Sequence, residues 1–425
     1  VQQAAYKRYL LFVLMAIMAS HYLDRVVLGV VMQDVQSSLD LNDTQVGLLS
    51  GLGFALFYSI MGIPVARWAD RGNRVLIISV TAAIWSAAVA LSGMARNYTE
   101  LLLIRIAVAA AEGGCMPPAY SLLGDTFSRV ERPRASAIYM LGLPIALLVG
   151  YFAAGWLNEA YGWRMTLVLI GVPGLALALL AALTLQEPRS RRDQSVTPMS
   201  QAAAPSLRTA FVTLFGNSTF RQLCLFICVW YFCSYALFHW QAIFFIRIHG
   251  LDSGAAGAWL ALVFGAGALL GTWLGGEWGA RYAANNEQLQ LIGVVVMFSA
   301  YTVFVGAAYL VASHYVAFAL LAIGTIVGNM CQGPILATIQ TLVPSHMRAM
   351  SLALLYFIGN LVGMGLGPLA AGALSDALRP WAGEESLRYA LIIFCPGHLW
   401  AAWHLWRASQ TIVLDVAAQS EAAPG

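Results

Sequence analysis

Four ionisable residues, Asp24, Arg25, Arg105 and Glu112, stand inside otherwise apolar runs of this 425-residue chain. A charge at the centre of a bilayer-spanning helix costs about 2.5–3.5 kcal/mol even on insertion scales, so each needs a partner or a task. Arg105 and Glu112 are two helical turns apart, roughly 10.5 Å along one face, and line the same interior. Asp24 and Arg25 are neighbours pointing about 100° apart on a helix and cannot satisfy each other. Pairing between helices follows, Asp24 with Arg105 and Arg25 with Glu112 or a solute. A buried carboxyl holds or sheds a proton according to whether a cation sits beside it. Asp24 and Glu112 are therefore candidates for proton coupling, and Arg25 and Arg105 for holding an anion. His21, one turn before Asp24, can join the relay or serve as a hydrogen-bonded wall residue. The alternative for the four charges is a permanent ion-pair cluster that orients two helices.

A second group lies in the other half of the chain. Tyr231, Tyr235 and His239 recur at i, i+4 and i+8 in a segment rich in aromatics, a stripe with polar tips that lines a cavity or packs in an interfacial belt. Asn329, Gln332 and Asn360 are uncharged groups that contact a solute or bond neighbouring helices. No nucleophile, metal-ligand cluster or phosphate loop has workable spacing. No catalytic residue, metal or cofactor is expected, and a proton gradient is the expected energy source. The six cysteines all fall in apolar runs, where thiols pack as small hydrophobes.

The elements that must position these residues are set by composition. With 60% hydrophobic and 10% charged residues and a mean hydropathy of +0.72, the chain has too few charges to cover a soluble globule. It is read as an all-α polytopic membrane protein with twelve spans. These are placed at 6–32, 44–66, 74–94, 98–124, 135–156 and 164–185, then 220–247, 253–276, 289–311, 314–342, 349–374 and 387–409. The ten-residue polarity alternation of a β-barrel is missing.

Sixteen basic residues (Lys7, Arg8, Arg67, Arg71, Arg74, Arg129, Arg132, Arg134, Arg189, Arg191, Arg192, Arg208, Arg221, Arg281, Arg348 and Arg407) fall on one side of these spans. Five, Arg96, Arg164, Arg247, Arg379 and Arg388, fall on the other. That bias puts both termini and the central loop in the cytoplasm. The polar, Pro-containing stretch from Gln186 to Ser206 divides the chain. The expected units are an N-terminal six-helix half over 1–186, a linker over 187–219, a C-terminal half over 220–409 and a tail over 410–425. Trp68-Ala69-Asp70-Arg71 is echoed by Trp278-Gly279-Ala280-Arg281, Arg134-Ala135 by Arg348-Ala349, Pro118 by Pro334, and Ala153-Ala154-Gly155 by Ala370-Ala371-Gly372. Ordered echoes at a slowly drifting offset mark two parallel repeats enclosing a central site.

The segment Arg67-Trp68-Ala69-Asp70-Arg71-Gly72-Asn73-Arg74 resembles the loop signature between the second and third helices of the major facilitator superfamily, with Ala66 in place of the usual leading Gly. The resemblance implies the twelve-helix major facilitator fold and a conformational latch built from Asp70, Arg71, Arg74 and Arg134, in which Asp70 accepts from a helix N-terminus and pairs with a basic residue. A narrower resemblance is to the spinster-like branch. It rests on His21-Tyr22-Leu23-Asp24-Arg25, Gly47-Leu48-Leu49, Trp85-Ser86, Arg105, Glu112, Pro118, Asp125, Arg134, Tyr139, Pro144 and Gly150, with Ala111-Glu112-Gly113 where that branch usually has Gly-Glu-Ala. It implies acids at Asp24 and Glu112 that couple transport to protons. It also implies an amphipathic anionic lipid as solute, such as a lysophospholipid or sphingosine phosphate.

One polar, cationic wall and one apolar, aromatic wall suit such a solute. A drug, organic anion or sugar carrier of the same fold is the alternative. The remaining expectations are a small amphipathic substrate and membrane lipids as partners, no nucleic acid, a monomer, no enzymatic activity and a bacterial inner membrane.

Overall fold

The computed structural model describes residues 2–128, 131–188, 213–283, 286–343 and 347–422; at 2, 63, 66, 70, 71, 133, 340, 348–350, 353 and 418–422 it describes the backbone alone. The linker expected over 187–219 lies outside the described residues except at its two ends. Every described element is helical. In chain order they are α1 (Gln2–Leu39), α2 (Asp43–Ser50), α3 (Leu52–Arg71), α4 (Arg74–Ser92), α5 (Tyr98–Glu112), α6 (Met116–Thr126), α7 (Arg132–Met140) and α8 (Gly142–Thr184). Then follow α9 (Ser218–His249), α10 (Ser253–Leu260), a π-helical turn at Ala261–Ala266, α11 (Gly267–Tyr282), α12 (Glu287–Leu310), α13 (His314–Met330), α14 (Gln332–Leu342), α15 (Arg348–Ala382), α16 (Ser386–Phe394) and α17 (Gly397–Ala422).

Polar caps start these helices where the chain turns. Asn42, Asn73, Asn97, Asp252 and Asn286 each accept from the backbone amide three residues on, satisfying a donor that lipid could not. Among the described residues, ten stretches are long and apolar enough to cross a membrane, and two of them, Arg134–Thr184 and Leu354–Ala417, run to 51 and 64 residues. At 1.5 Å per residue 51 residues span about 77 Å, more than twice a hydrocarbon core. Both are broken inside, the first at Gly162, whose φ of 75° lies outside the helical region. The second breaks at Gly383, φ 57°. Ten stretches thereby accommodate twelve crossings, and the loop expected between spans 5 and 6 is a single glycine hinge.

Spans 4 and 10 also break in the middle, at Gly113–Cys115 and at Cys331. Pro117 and Pro118 follow the first break and Pro334 the second. Proline lacks the N–H that would continue the ladder, so a matching fracture appears in each repeat.

Two compact units result, Val1–Thr197 with Gln241–Ala261, and Pro198–Trp240 with Leu262–Gly425. In the first, α8 packs along α1 and α4, and α5 along α3 and α4. Glycine allows the closest of these approaches: a Cβ on Gly142 would lie 2.7 Å from the Met15 carbonyl oxygen of α1, and one on Gly171 would lie 2.6 Å from that of Ser86 in α4. In the second unit, α12 packs against α13 and α17, and α9 lies along α15. Gly359, Gly363 and Gly367, one turn apart on α15, face Ile227, Tyr231 and Phe232 of α9, the small-residue seam by which membrane helices approach. Phe220, Phe226, Phe298, Leu405 and Ile412 belong to its core.

Candidate functional site

The middle of α1 and the second half of α5, which ends at the fracture, bring the charged residues of the first unit together. Arg105 Nη1 donates to Asp24 Oδ2 at 3.0 Å, with side-chain exposures of 4% and 3%. Arg25 donates to Glu112 Oε2 from Nη2 at 2.8 Å and from Nε at 3.1 Å. Both pairs join the first span to the fourth, as the helical spacing anticipates. Glu112 is fully buried, whereas the Arg25 side chain keeps 14% exposure and is the accessible member of the cluster. His21 Nε2 sits 3.5 Å from Glu112 Oε2, beyond a well-formed hydrogen bond, and its ring meets Trp85 edge-on at 5.7 Å.

Charges cancel in this arrangement, two carboxylates against two guanidiniums, but the hydrogen bonding is incomplete. Among the described residues, Asp24 Oδ1, Glu112 Oε1, both nitrogens of His21, Trp85 Nε1, Ser86 Oγ and Tyr139 Oη have no hydrogen-bond partner. Buried polar atoms seldom lack partners. The unbonded oxygens of the two acids can take a proton or accept from water or a solute headgroup.

Aromatic rings enclose the outer pair. The Arg25 guanidinium carbon lies 5.2 Å from the Tyr22 ring centroid, 4.7 Å from Phe54 and 4.8 Å from Tyr58. Phe54 also meets Arg105, at 5.2 Å on its own account, so one ring serves two cations. Phe54 and Tyr58 are unanticipated here, although their one-turn spacing, like that of Tyr22 three residues before Arg25, carries the helical signature of a shared face.

Of the expected latch, the side chains of Arg74 and Arg134 are described. Arg74 is completely buried at the start of α4. Its Nε and Nη2 donate to the Glu187 carboxylate, which also accepts from the Arg74 backbone N–H at 2.6 Å. Its Nη1 donates to Asp125 at 2.7 Å and to the Ser121 carbonyl at 2.9 Å. Arg134 is exposed at the start of α7, and the side chains of Asp70 and Arg71 lie outside the described residues. Glu187, the first residue of the expected linker, went unnoticed because nothing in its local sequence distinguishes it from a solvated charge.

A second polar network sits at the far end of α1. Arg247 forks onto Asp43 with two bonds of 2.9 Å and donates to Gln36 at 2.7 Å and Gln33 at 3.2 Å. Its partner Asp43 is 1% exposed. A basic last turn in α9 and an acidic first turn in α2 were the available signal.

Within the second unit the expected stripe is a ladder of rings. Tyr231 meets Tyr235 at 5.8 Å and Tyr235 stacks on His239 at 5.9 Å, while Tyr235 Oη donates to Asn360 Oδ1 at 3.3 Å. Asn329 takes no part, since its amide donates to the Thr325 carbonyl of its own helix at 2.8 Å. Gln332 borders a narrow apolar recess with Trp230, Tyr231, Ile335 and Tyr356. Unanticipated is His398, completely buried, whose Nε2 lies 3.0 Å from Ser234 Oγ and whose ring meets Tyr301 at 4.9 Å.

Comparison with known proteins accords with this geometry. The sequence profile described as Major Facilitator Superfamily matches residues 14–368. A protein of Mycolicibacterium smegmatis called an MFS-type efflux pump is 27% identical over 93% of this chain and 91% of its own. Protein spinster homolog 1 of Xenopus laevis is 24% identical over 92% of this chain and 78% of its own. A crystal structure of a bacterial homolog to the human lysosomal transporter Spinster, in an inward-facing and unoccupied conformation, superposes with a TM-score of 0.85 at 29% identity, covering 96% of this chain and 98% of that one.

Proposed function

Since the chain belongs to the Major Facilitator Superfamily and is a polytopic membrane transporter, we propose that it is a proton-coupled secondary carrier of an amphipathic anionic lipid, of the lysophospholipid or sphingosine-phosphate kind, working by alternating access. The observation that carries this is the paired cluster of the first unit: two arginines and two acids, buried and balanced, with Arg25 accessible. A phosphate reaching Arg25 competes with Glu112 for its guanidinium. Glu112, losing its cation beside Asp24, is then stable only with a proton, because two neighbouring carboxylates in low dielectric repel. Solute binding and proton uptake are thereby linked at one pair of residues. The structural likeness to the spinster homolog supports the lipid class, as do the aromatic and glycine-rich α9 and α15 of the second unit. We place the carrier in a bacterial inner membrane, and the distribution of basic residues supports an orientation with both termini in the cytoplasm.

The second reading keeps fold and coupling and changes the solute to a drug or other organic anion, favoured by the efflux pump that matches nearly the whole chain. Proteoliposomes separate the two. Uptake of a lysophospholipid, of sphingosine phosphate and of a soluble organic anion is measured with and without an imposed pH gradient, in wild type, Asp24→Asn and Glu112→Gln. Gradient-driven lipid movement that both substitutions abolish in folded protein is the expected result. Gradient-responsive lipid movement that survives both refutes the coupling site, and movement of the soluble anion alone refutes the lipid.

A further inference from the structure

We propose that the exposed side of α17 carries a binding site for an anionic phospholipid, with the Arg407 guanidinium on its phosphate and the rings of Trp403 and Trp400 along the start of its acyl chains. The site belongs to the second unit alone and does not depend on which solute is carried.

One continuous stripe of α17 is uncovered. Trp400, Trp403 and Trp406 are 59%, 47% and 46% exposed, and Leu399, Arg407 and Gln410 share that face. Three indoles within two turns mark the headgroup level of a bilayer, where tryptophan concentrates. Arg407 is the one arginine or lysine of the helix. An arginine that serves topology alone extends its side chain outward to water. Arg407 does the opposite: its guanidinium carbon lies over the Trp403 ring, 5.7 Å from the centroid and one turn back along the helix, the direction in which helical side chains lean. Among the described residues it has no hydrogen-bond or ion-pair partner. A guanidinium held over a ring face keeps its in-plane N–H donors for another acceptor, and the charged acceptor that a bilayer supplies at that level is lipid phosphate.

The platform is preformed. His404, 5% exposed, has its ring centroid 4.8 Å from that of Trp403 and 5.9 Å from that of Trp400. Its Nδ1 lies 2.8 Å from Gln222 Oε1 of α9, a bond that fixes the ring and, through it, the spacing of the two indoles. Farther along, Thr219 Oγ1 meets Thr411 Oγ1 at 2.7 Å and the Thr219 N–H donates to Asp415 at 2.9 Å, so α17 is held to α9 on both sides of Arg407. The basic-residue bias puts this end of α17 at the cytoplasmic leaflet, whose anionic lipids attract arginine. A zwitterionic lipid brings its own cation to the phosphate and gains less from Arg407.

The test titrates the purified full chain in detergent with dioleoyl phosphatidylglycerol and with dioleoyl phosphatidylcholine, bound lipid being read by native mass spectrometry. Wild type is expected to bind phosphatidylglycerol about fivefold more tightly, the scale of one arginine at an anionic surface. Arg407→Gln should remove the preference, and Trp403→Leu should reduce it about twofold. Arg281→Gln, which removes an exposed arginine already paired with Glu277 at 2.7 Å, should leave it intact. Melting curves identify the folded variants, and either α17 variant suffices. Equal affinities in wild type, or an undiminished preference in a folded α17 variant, overturns the site and leaves an ordinary aromatic belt. A dimer in light scattering that either α17 substitution dissociates also overturns it, because a second copy then covers the face. None of these results bears on the charged cluster of the first unit, whose reading stands or falls by transport.

Discussion

Removing either partner of the Asp24–Arg105 pair should destabilise the protein by far more than an exposed ion pair would, and removing both should cost much less than the sum. The carboxylate and guanidinium are 3.0 Å apart with 3% and 4% exposure. At an effective dielectric of 20, Coulomb's law gives 332/(20 × 3.0), about 5.5 kcal/mol of attraction, part of which offsets the desolvation of both ions. Arg105→Met leaves a carboxylate buried without its cation, and Asp24→Asn leaves a guanidinium facing a neutral amide. Breaking a buried pair from one side typically costs about 3–5 kcal/mol. The double variant buries no orphaned charge at this position, so a coupling energy of about 2–3 kcal/mol is expected from the cycle. Unfolding by sodium dodecyl sulfate, followed by circular dichroism in mixed micelles, supplies the four free energies. Additivity within about 0.5 kcal/mol would mean that the two groups do not depend on each other, and would refute the account of the site as a balanced ion-pair cluster.

Three further outcomes are expected. Arg247→Met should lower the thermal midpoint in detergent, and Arg247→Lys should fail to restore it, because a single ammonium cannot fork onto Asp43 while holding Gln36 and Gln33; a lysine variant as stable as wild type would contradict this. Gly363→Leu should cost at least the roughly 1–3 kcal/mol of an overpacked core, since even a Cβ there would lie 2.5 Å from that of Tyr231, whereas Gly216→Leu, with open space, should be neutral. The exposed Glu131, outside the spans, is held down to about 2 from an ordinary 4.5, first by the hydrogen bond from Lys7 and then by bonds from Ser128. A depressed carboxyl contributes its stability above the unfolded value and loses it as pH falls. The advantage of wild type over Glu131→Gln in thermal scans should thus be constant above pH 4.5 and shrink toward pH 2; an advantage that grows on acidification would reverse the sign.

Much of this molecule was determined by its sequence. Apolar content and run length demand lipid as solvent, lipid permits only helices or closed barrels, and the missing polarity alternation leaves helices. Asp24, Arg25, Arg105 and Glu112 were legible as a site because membrane charges are rare and expensive, and helical periodicity alone ruled out the Asp24–Arg25 pair. What tertiary structure decided was who stands beside them. Tyr22, Phe54 and Tyr58 are ordinary residues of a membrane helix until the third element of the chain lays its aromatic face on Arg25. Glu187 looks like a solvated charge until α4 delivers the amide and guanidinium of Arg74 to it, and Asn329 looks available to a solute until its own helix takes its amide. Composition reports the cost of burying a group, which is local. Partnership depends on which helices meet and at what rotation, and that emerges only from packing many side chains at once.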